Sequence, residues 1–182
     1  MVFLGDWVSL RPIRQSDLPF LVSWSNDAEV VRYIDGGSPR TLIEAESWLR
    51  QTRKDRQVRR FAIETASGVL IGDMSLDQIA WRSGDAELTV RIGEKEYWGR
   101  GLGTDAVIVL LDVAFGRLRL NRVYLRVYRF NARAIRSYEK CGFRREGVLR
   151  RSAKDSEPWE EIVLMRKLRD EHVPRSQVED AS

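Results

Sequence analysis

The chain has 182 residues, 43% of them hydrophobic and 32% charged, a composition typical of one folded domain with a sizeable core. One cysteine and one histidine cannot supply a Cys/His zinc site or an internal Ser-His-Asp triad, so any catalysis has to use carboxylates, tyrosine, hydroxyls or backbone groups. A net charge of +4 favours anionic ligands but is too small to predict nucleic-acid binding.

The first half of the chain predicts a strand, three helices and a group of antiparallel strands. Val8 to Ile13 alternates apolar and polar residues like a half-buried strand, and Ser16 is predicted to cap the helix that follows. A short helix and a loop rich in Gly, Ser and Pro are expected within Asn26 to Thr41, and Leu42 to Arg56 has the pattern of an amphipathic helix. The segments FAIET, VLIGDMSLDQIA and GDAELTVRIG are strand-like and separated by turn residues, which predicts an antiparallel meander.

In the second half, helices and strands alternate. A helix of about four turns is predicted from one apolar stripe, Val107, Leu110, Leu111, Ala114, Phe115 and Leu118. Arg122 to Phe130 is rich in β-branched and aromatic residues and predicts a strand, and Asn131 is predicted to cap a helix that Gly142 closes. FRREGVLRR and WEEIVLMRKL predict two last strands around the turn-like segment SAKDSEP, so the class is mixed α/β with a central sheet.

The sequence also carries signals about cellular environment. No apolar run is long enough to span a membrane, and the N-terminus lacks the features of a secretory leader, so we expect a cytoplasmic protein. Cys141 has no second cysteine to pair with, which fits a reducing compartment. Its position at a predicted helix end favours an inert, packed thiol over a nucleophile.

The most informative stretch is VRIGEKEYWGRGLGTDA, in which Gly99, Gly101 and Gly103 lie between a strand and a long helix that is expected to start near Thr104. Such a turn presents free backbone N–H groups and the positive end of a helix dipole to an anion, and Arg100 adds a positive charge. A turn needed only for backbone geometry is the alternative. A P-loop or a dinucleotide fingerprint fits less well, because no lysine followed by Ser or Thr is present and the glycines are spaced G-x-G-x-G.

Together with NARAIRSYEKCGFRREG some thirty residues later, EYWGRGLGTDA resembles two signature segments of the GNAT acetyltransferases. The start VSLRPIRQSDLPFLVSWSNDAEVVRYI resembles the branch related to ribosomal-protein N-terminal and spermidine acetyltransferases. The likeness extends from about Val8 to Leu168. It implies a single domain over residues 1–170, with a mixed, mostly antiparallel sheet of six to seven strands and about four helices, and residues 171–182 are expected to be a polar, frayed tail.

The resemblance implies transfer of an acetyl group from acetyl-CoA to a primary amine by direct attack in a ternary complex, without a metal. The acceptor would be a small-molecule amine or a protein N-terminal amine, and a homodimer is expected. The alternative is a CoA-binding sensor or interaction module that has lost catalysis. A third possibility, a nucleic-acid binder, predicts salt-sensitive affinity for DNA or RNA, which neither composition nor pattern favours.

The resemblance also assigns residues to the cofactor. The backbone of Val90, Arg91 and Ile92 would pair with the pantetheine arm, and Asn131 would contact it as well as capping its helix. The pyrophosphate would be held by Trp98, Gly99, Arg100, Gly101, Leu102, Gly103 and Thr104. Trp98 departs from the broad family pattern, which has Arg or Gln there, so phosphate binding would depend more on backbone amides and on Arg100.

Two residues are candidates for proton transfer. Tyr138 matches a tyrosine that protonates the leaving thiolate in many such enzymes, although packing beside Ile135 on its helix would also explain it. Glu87 is the candidate base because an amine acceptor has to lose a proton before attack, and because it lies on the strand face opposite Ala86, Leu88 and other apolar residues. A solvated glutamate on the sheet surface is the alternative.

Other charged groups have two explanations each. Asp27, Glu29 and Asp35 in the first helical region would attract a cationic acceptor, or are ordinary surface acids. Three arginine-rich pieces would contact the 3′-phosphate of CoA or an acidic partner, or they form solvated faces. They are VRR from Val58 to Arg60, RR at Arg144 and Arg145, and RR at Arg150 and Arg151.

Overall fold

A sheet of eight strands runs through the part of the chain that the computed structural model describes, residues 1–34, 37–151 and 160–175. The strands are β1 (Phe3–Leu4), β2 (Val8–Pro12), β3 (Arg59–Thr65), β4 (Leu70–Ala80), β5 (Asp85–Ile92), β6 (Arg122–Tyr128), β7 (Arg144–Arg151) and β8 (Glu160–Leu168). The α-helices are α1 (Leu18–Asn26), α2 (Ala28–Val31), α3 (Leu42–Lys54), α4 (Leu102–Asp112) and α5 (Ala132–Lys140). The strand order is β1-β2-β3-β4-β5-β6-β8-β7, and among these described strands only β5 and β6 pair in parallel. The predicted class, a mixed and mostly antiparallel sheet, is confirmed.

The described residues form one strand more than the six to seven predicted, and five α-helices where about four were expected. The additional strand is β1, which pairs Phe3 with Leu10 and Leu4 with Ser9. Two residues are too few for alternation to be recognised in a sequence. The meander of β3, β4 and β5 lies where the sequence predicts it.

The start of α1 differs from the prediction. Ser16 does not cap the helix, because it lies inside a single 3-10 turn, Gln15–Asp17, that precedes α1. Asp17 instead accepts a hydrogen bond from the backbone N–H of Arg14 at 2.7 Å. The same carboxylate forms a buried ion pair with the guanidinium of Arg11, also at 2.7 Å, so this corner is fixed by a charge pair that joins β2 to the helix.

Two layers of helices cover the sheet. On one face α4 and α5 pack in the main core, where the predicted stripe of α4 is buried from Val107 to Phe115. On the other face a second apolar cluster joins α1 and α3 to the sheet through Leu21, Leu49 and Ala62. Helix α4 continues beyond Asp112 as a π-helical turn, so the predicted helix of about four turns is present but is not α-helical throughout.

The end of the described chain is packed, not frayed. His172 has a side chain that is 4% exposed, and its Nε2 lies 2.7 Å from Oδ1 of Asp112 on α4. Arg175 forms ion pairs with Asp105 on α4 and, at 3.4 Å, with Asp6. The expected fraying is therefore wrong for residues up to Arg175, because ion pairs fix them to α4.

Parts of some predictions lie outside the described residues. These are residues 176–182 of the expected tail, the turn-like segment SAKDSEP, and Asp35. Within the described ranges, no helix combines the length and the apolar character needed to cross a membrane.

Candidate active site

A cavity of about 510 Å³ lies between the second half of β5, the glycine-rich turn and the start of α5. Its lining includes every site residue predicted from the sequence except Arg100: Glu87, Val90, Arg91, Ile92, Trp98, Gly99, Gly101, Leu102, Gly103, Thr104, Asn131 and Tyr138. Arg100 is exposed, and its guanidinium carbon lies 5.5 Å from the centre of the Tyr97 ring. The fold thus brings to one space residues that are far apart in the sequence.

The cavity forms where β5 and β6 separate. Their parallel pairing extends only from Asp85–Arg122 to Glu87–Tyr124, whereas β5 continues to Ile92. Beyond that point β6 continues to pair with β8 on its other side. Among the described strands, none pairs with this edge of β5 over residues 88–92. This stretch includes Val90, Arg91 and Ile92, the backbone that the family resemblance assigns to the pantetheine arm.

The turn before α4 has the geometry of an anion site. Gly99 and Gly101 have φ of +75° and +81°, a region that residues with a side chain rarely adopt. Helix α4 begins at Leu102, two residues earlier than expected, and its first intrahelical bond runs from Asp105 N–H to Gly101 O at 3.0 Å. The N–H groups of residues 102–104 therefore have no partner within the helix and, with the helix dipole, favour an anion at this end.

Trp98 stabilises the turn with its side chain. Its indole N–H donates to the carbonyl oxygen of Ile92 at 2.7 Å, which ties the turn to the end of β5. The guanidinium of Arg133 lies 4.5 Å from the centre of the indole ring, and Tyr33 meets the same ring edge-on at 5.9 Å. Arg133 was not predicted from the sequence as part of the site. Its guanidinium brings a positive charge from α5 to Trp98, the position at which the family pattern has Arg or Gln.

Helix α5 is fixed beside the same turn. Thr104 and Ser137 join α4 to α5 through a 2.7 Å hydrogen bond between their hydroxyls. Asn131 caps α5 as predicted, since its side-chain oxygen accepts from Ala134 N–H at 3.2 Å. This bond uses only the oxygen of the amide, so the cap is compatible with the predicted contact of Asn131 with a ligand.

Tyr138 is buried in the wall of the cavity, with 8% of its surface exposed. Its ring packs edge-on against Phe143 at 5.9 Å, and burial raises the pKa of its phenol well above the ordinary value. No hydrogen bond to its hydroxyl is present among the residues described. Packing and proton donation are therefore compatible roles, because the ring serves the first and the hydroxyl the second.

Glu87 is a buried carboxylate held by two side chains. Nε of Arg126 donates to Oε1 at 2.6 Å and Nη2 donates to Oε2 at 3.3 Å, while Gln78 donates to Oε2 at 3.0 Å. The side chain of Glu87 is 8% exposed, so it is not the solvated surface glutamate of the alternative interpretation. A carboxylate has about four acceptor sites, of which these three donors leave one.

Two further ion pairs line the same part of the cavity. Nε of Arg91 lies 2.6 Å from Oδ1 of Asp73, and Arg60 contacts Asp77 at 2.9 Å. Asp73 and Asp77, like Arg126 and Gln78, were not predicted from the sequence as parts of the site, because they lie on strands next to the one that carries Arg91 and Glu87. The predicted meander was a signal that could have found Asp73 and Asp77, which lie directly opposite Arg91 and Glu87 in the β4–β5 register.

The remaining charged candidates have structural partners. Asp27 caps α2 by accepting from the N–H of Glu29 at 2.9 Å, and Lys95 forms ion pairs with both acids. Among the arginine-rich pieces, Arg145 pairs with Glu139 at 2.9 Å on the exposed surface. These contacts support the structural explanation for Asp27, Glu29 and Arg145.

Cys141 is buried, and burial raises the pKa of its thiol to about 12, as expected for a packed residue and not for a nucleophile. Over the described ranges, the structure contains no group of three or more His, Cys, Asp or Glu side chains that could hold a metal ion.

Comparison with known proteins adds an independent line of evidence. A sequence model described as an acetyltransferase (GNAT) domain matches residues 8–144. The spermidine N(1)-acetyltransferase of Vibrio cholerae is 28% identical over 174 residues, which cover 96% of this chain and all of that protein. Its counterpart in Escherichia coli is 34% identical over 142 residues, which cover 78% of this chain and 75% of that protein.

Solved structures agree with the sequence comparison. The crystal structure of the Vibrio cholerae spermidine N-acetyltransferase in complex with CoA and spermine superimposes with a TM-score of 0.83 at 28% sequence identity. The match covers 90% of this chain and 96% of the other. The likeness therefore extends over the sheet and both helix layers.

Proposed function

Because the chain belongs to the GNAT acetyltransferase family, we propose that it is an acetyl-CoA-dependent N-acetyltransferase that acts on a primary amine in a ternary complex. One observation carries the proposal: the free N–H groups of the α4 terminus, the unpaired edge of β5, Tyr138 and Glu87 all border one cavity. A phosphate-binding end and a pair of proton-transfer groups in one cavity are what acyl transfer from CoA requires.

At the CoA end, backbone groups would do most of the binding. The N–H groups of residues 102–104 and the α4 dipole would hold the pyrophosphate, with Arg133 as a nearby cation. The open edge of β5 from Val90 to Ile92 would pair with the amides of the pantetheine arm, and the amide of Asn131 would add a donor. These contacts orient the thioester toward the second half of the cavity.

At the reacting end, two side chains would divide the proton transfers. Glu87, directly or through a water, takes a proton from the ammonium of the acceptor, so that the free amine can attack the thioester carbonyl. A C–N bond forms and the C–S bond breaks, and the thiolate of CoA receives the proton of Tyr138. The acceptor nitrogen loses its second proton, which returns through water to the Tyr138 oxygen, and Glu87 releases its proton to solvent, so that the products are the amide, the CoA thiol and one proton. Because burial raises the pKa of Tyr138, its proton is present throughout the physiological range.

The acceptor is proposed by analogy with the relatives. The Vibrio cholerae and Escherichia coli enzymes are named for spermidine, so polyamines are the first acceptors to test, followed by aminoglycosides and peptides with a free N-terminus. We also expect a homodimer, which light scattering coupled to size-exclusion chromatography would measure.

Calorimetric titration tests the CoA site. Acetyl-CoA and CoA would be titrated into wild type, Gly101→Trp and the control Gly68→Trp. Both glycines have a similar positive φ, +81° and +82°, and a Cβ added to either would lie no closer than 3.7 Å to another residue, but only Gly101 borders the cavity. We expect binding to wild type and Gly68→Trp and loss of binding in Gly101→Trp, with all three folded by circular dichroism.

Release of the CoA thiol in the presence of each acceptor then separates the two candidate functions. Turnover with any amine supports the enzyme, whereas CoA binding without turnover over the whole panel favours a catalytically inactive binding module. Absence of acetyl-CoA binding to wild type would contradict both.

A further inference from the structure

We infer that Gln78 is a positioning residue for Glu87, placed at the active site by an irregularity in β4. The inference rests on the proposed role of Glu87 as the base. It concerns a residue that belongs to none of the three segments on which the family resemblance rests, and that lies in the wall of the same cavity.

The irregularity is a β-bulge. Asp77 pairs with Glu87, and the next pair joins Ala80 to Asp85, so two residues of β4 lie opposite the single residue Ala86 of β5. The first of the two is Gln78, whose φ is +52°. Within the described ranges, the only other non-glycine residue with a positive φ is Arg119.

The bulge changes which side chain faces the cavity. In a regular strand, side chains alternate, so the residue after Asp77 would point into the core beneath α4 and the residue after that would point toward the cavity. Instead, Ile79 is fully buried in the main core, and Gln78 lines the cavity beside Asp77. One extra residue thus places an amide next to the carboxylate and keeps the apolar side chain inside.

The contact of Gln78 is with the proposed base itself. Its Nε2 donates to Oε2 of Glu87 at 3.0 Å, on the oxygen that receives only the longer of the two bonds from Arg126. Together with Arg126, the amide of Gln78 fixes the plane of the Glu87 carboxylate, and it occupies one of the acceptor sites of that carboxylate. The remaining acceptor site can then be directed at the acceptor amine or at a bridging water.

Packing does not explain this residue. Gln78 is exposed, and glycine would adopt its backbone conformation with less strain. Residues held in strained backbone conformations cluster at functional sites, where the side chain has a use that offsets the strain. The side-chain bond to Glu87 is the use that the geometry shows.

Gln78→Gly tests the inference, with Arg119→Gly as the matched control. Both changes replace an exposed side chain at nearly the same φ, +52° and +54°, and only the first removes a contact with Glu87. We expect thermal midpoints close to wild type for both. We expect kcat/KM for the amine to fall at least about 10-fold in Gln78→Gly alone, the size of one hydrogen bond to a charged group.

The pH profile provides a readout that a structural role would not move. The charged groups facing Glu87 are Arg126 and, across the strand pair, Asp77, with the Tyr124 phenol on β6. Loss of the amide donor disfavours the ionised carboxylate, so the acid limb of kcat/KM should move to higher pH in Gln78→Gly. In Gln78→Glu, which replaces the donor by a like charge, it should move further.

Two further variants, Glu87→Gln and the double variant that combines Gln78→Gly with Glu87→Gln, separate the role proposed for Glu87 from the role inferred for Gln78. If Glu87→Gln is as active as wild type, the proposed base is wrong. If Glu87→Gln loses activity while Gln78→Gly keeps wild-type kcat/KM and an unshifted acid limb, only the role of Gln78 is wrong. If Gln78→Gly lowers activity equally with and without Glu87→Gln, then Gln78 acts independently of Glu87, which also overturns the inference.

Discussion

The two ends of the cavity are built from different kinds of groups. At the end that we propose for CoA, backbone groups face the cavity, namely the N–H groups of residues 102–104 and the unpaired edge of β5. At the other end, which we propose for the acceptor and call the acceptor end, the cavity is lined by side chains in three ion pairs, which involve Asp73, Asp77 and Glu87. Backbone geometry depends on a short local sequence, whereas ion pairs depend on the register of neighbouring strands. The difference explains why a local motif predicts the first end, whereas the ion-pair partners at the second end could not be predicted from any motif.

This comparison predicts that side-chain changes at the acceptor end affect turnover and leave CoA binding intact. The largest effect is expected for Tyr138→Phe, which removes the proposed proton donor and keeps the ring that packs on Phe143. We expect kcat to fall about 10²–10⁴-fold. Steady-state kinetics and calorimetric titration of CoA measure the two quantities on the same sample. A kcat equal to that of wild type would show that another group protonates the thiolate.

A smaller effect is expected for Arg133→Leu, which tests whether any side chain matters at the CoA end. The change removes a cation that lies 4.5 Å from the Trp98 ring centre at the proposed phosphate site. We expect CoA to bind about 3- to 10-fold more weakly, which corresponds to about 0.7–1.4 kcal/mol, with a weaker salt dependence and little change in kcat. Arg32→Leu is the matched control, because Arg32 contacts the ring of Phe130 in the same way but does not line the cavity. Equal loss of affinity in both variants would contradict the prediction.

The smallest effect on activity is expected for Asp105→Asn. This change removes a negative charge in the first turns of α4, on the side away from the cavity, where Asp105 contacts Arg175. Burial by itself raises the pKa of Asp105, but Arg175 and the backbone N–H groups of Trp7 and Val8 outweigh burial and lower it. A depressed pKa in the folded state adds stability above the ordinary pKa of about 3.9, and this stability is lost as the pH falls below it.

Urea unfolding at pH 7 and near pH 3 measures this contribution. We expect Asp105→Asn to be less stable than wild type at pH 7, by about 1–3 kcal/mol, and to lose less stability on acidification. An equal loss on acidification in both proteins would show that the pKa of Asp105 does not differ between the folded and unfolded states. The kcat of the folded variant should remain near that of wild type, since Asp105 does not line the cavity.

Much of the architecture could be predicted because it depends on local patterns. The apolar stripe of α4, the Asn131 cap of α5 and the meander of β3 to β5 each have a periodicity or a turn signal within a few residues. Ser16 shows the limit of this approach. A serine before a helix is a good cap candidate, but the buried pair of Arg11 and Asp17 fixes a 3-10 turn there instead.

In the candidate site, too, features that depend on a local conformation could be predicted, whereas contacts between distant residues could not. The glycine-rich turn and Asn131 were predictable because each uses a local conformation, a positive φ or a cap. The hydrogen-bond partners of Glu87 were not, since Arg126 is 39 residues away on a strand that pairs in parallel with β5. Gln78 could not be predicted for a further reason. Regular alternation along β4 would place its side chain on the core face of the sheet, and only the bulge turns it toward the cavity.

The sequence by itself determined the class of the fold, the position of the glycine-rich turn and, through three ordered segments, the family. Local backbone preferences and helix dipoles act over a few residues, so they can be recognised in one stretch of chain. Only the tertiary structure decided which charges meet around Glu87, that Arg133 stands over Trp98, and that Arg175 fixes the end of the chain to α4. Contacts of this kind depend on strand order, register and one bulge, which no single segment specifies.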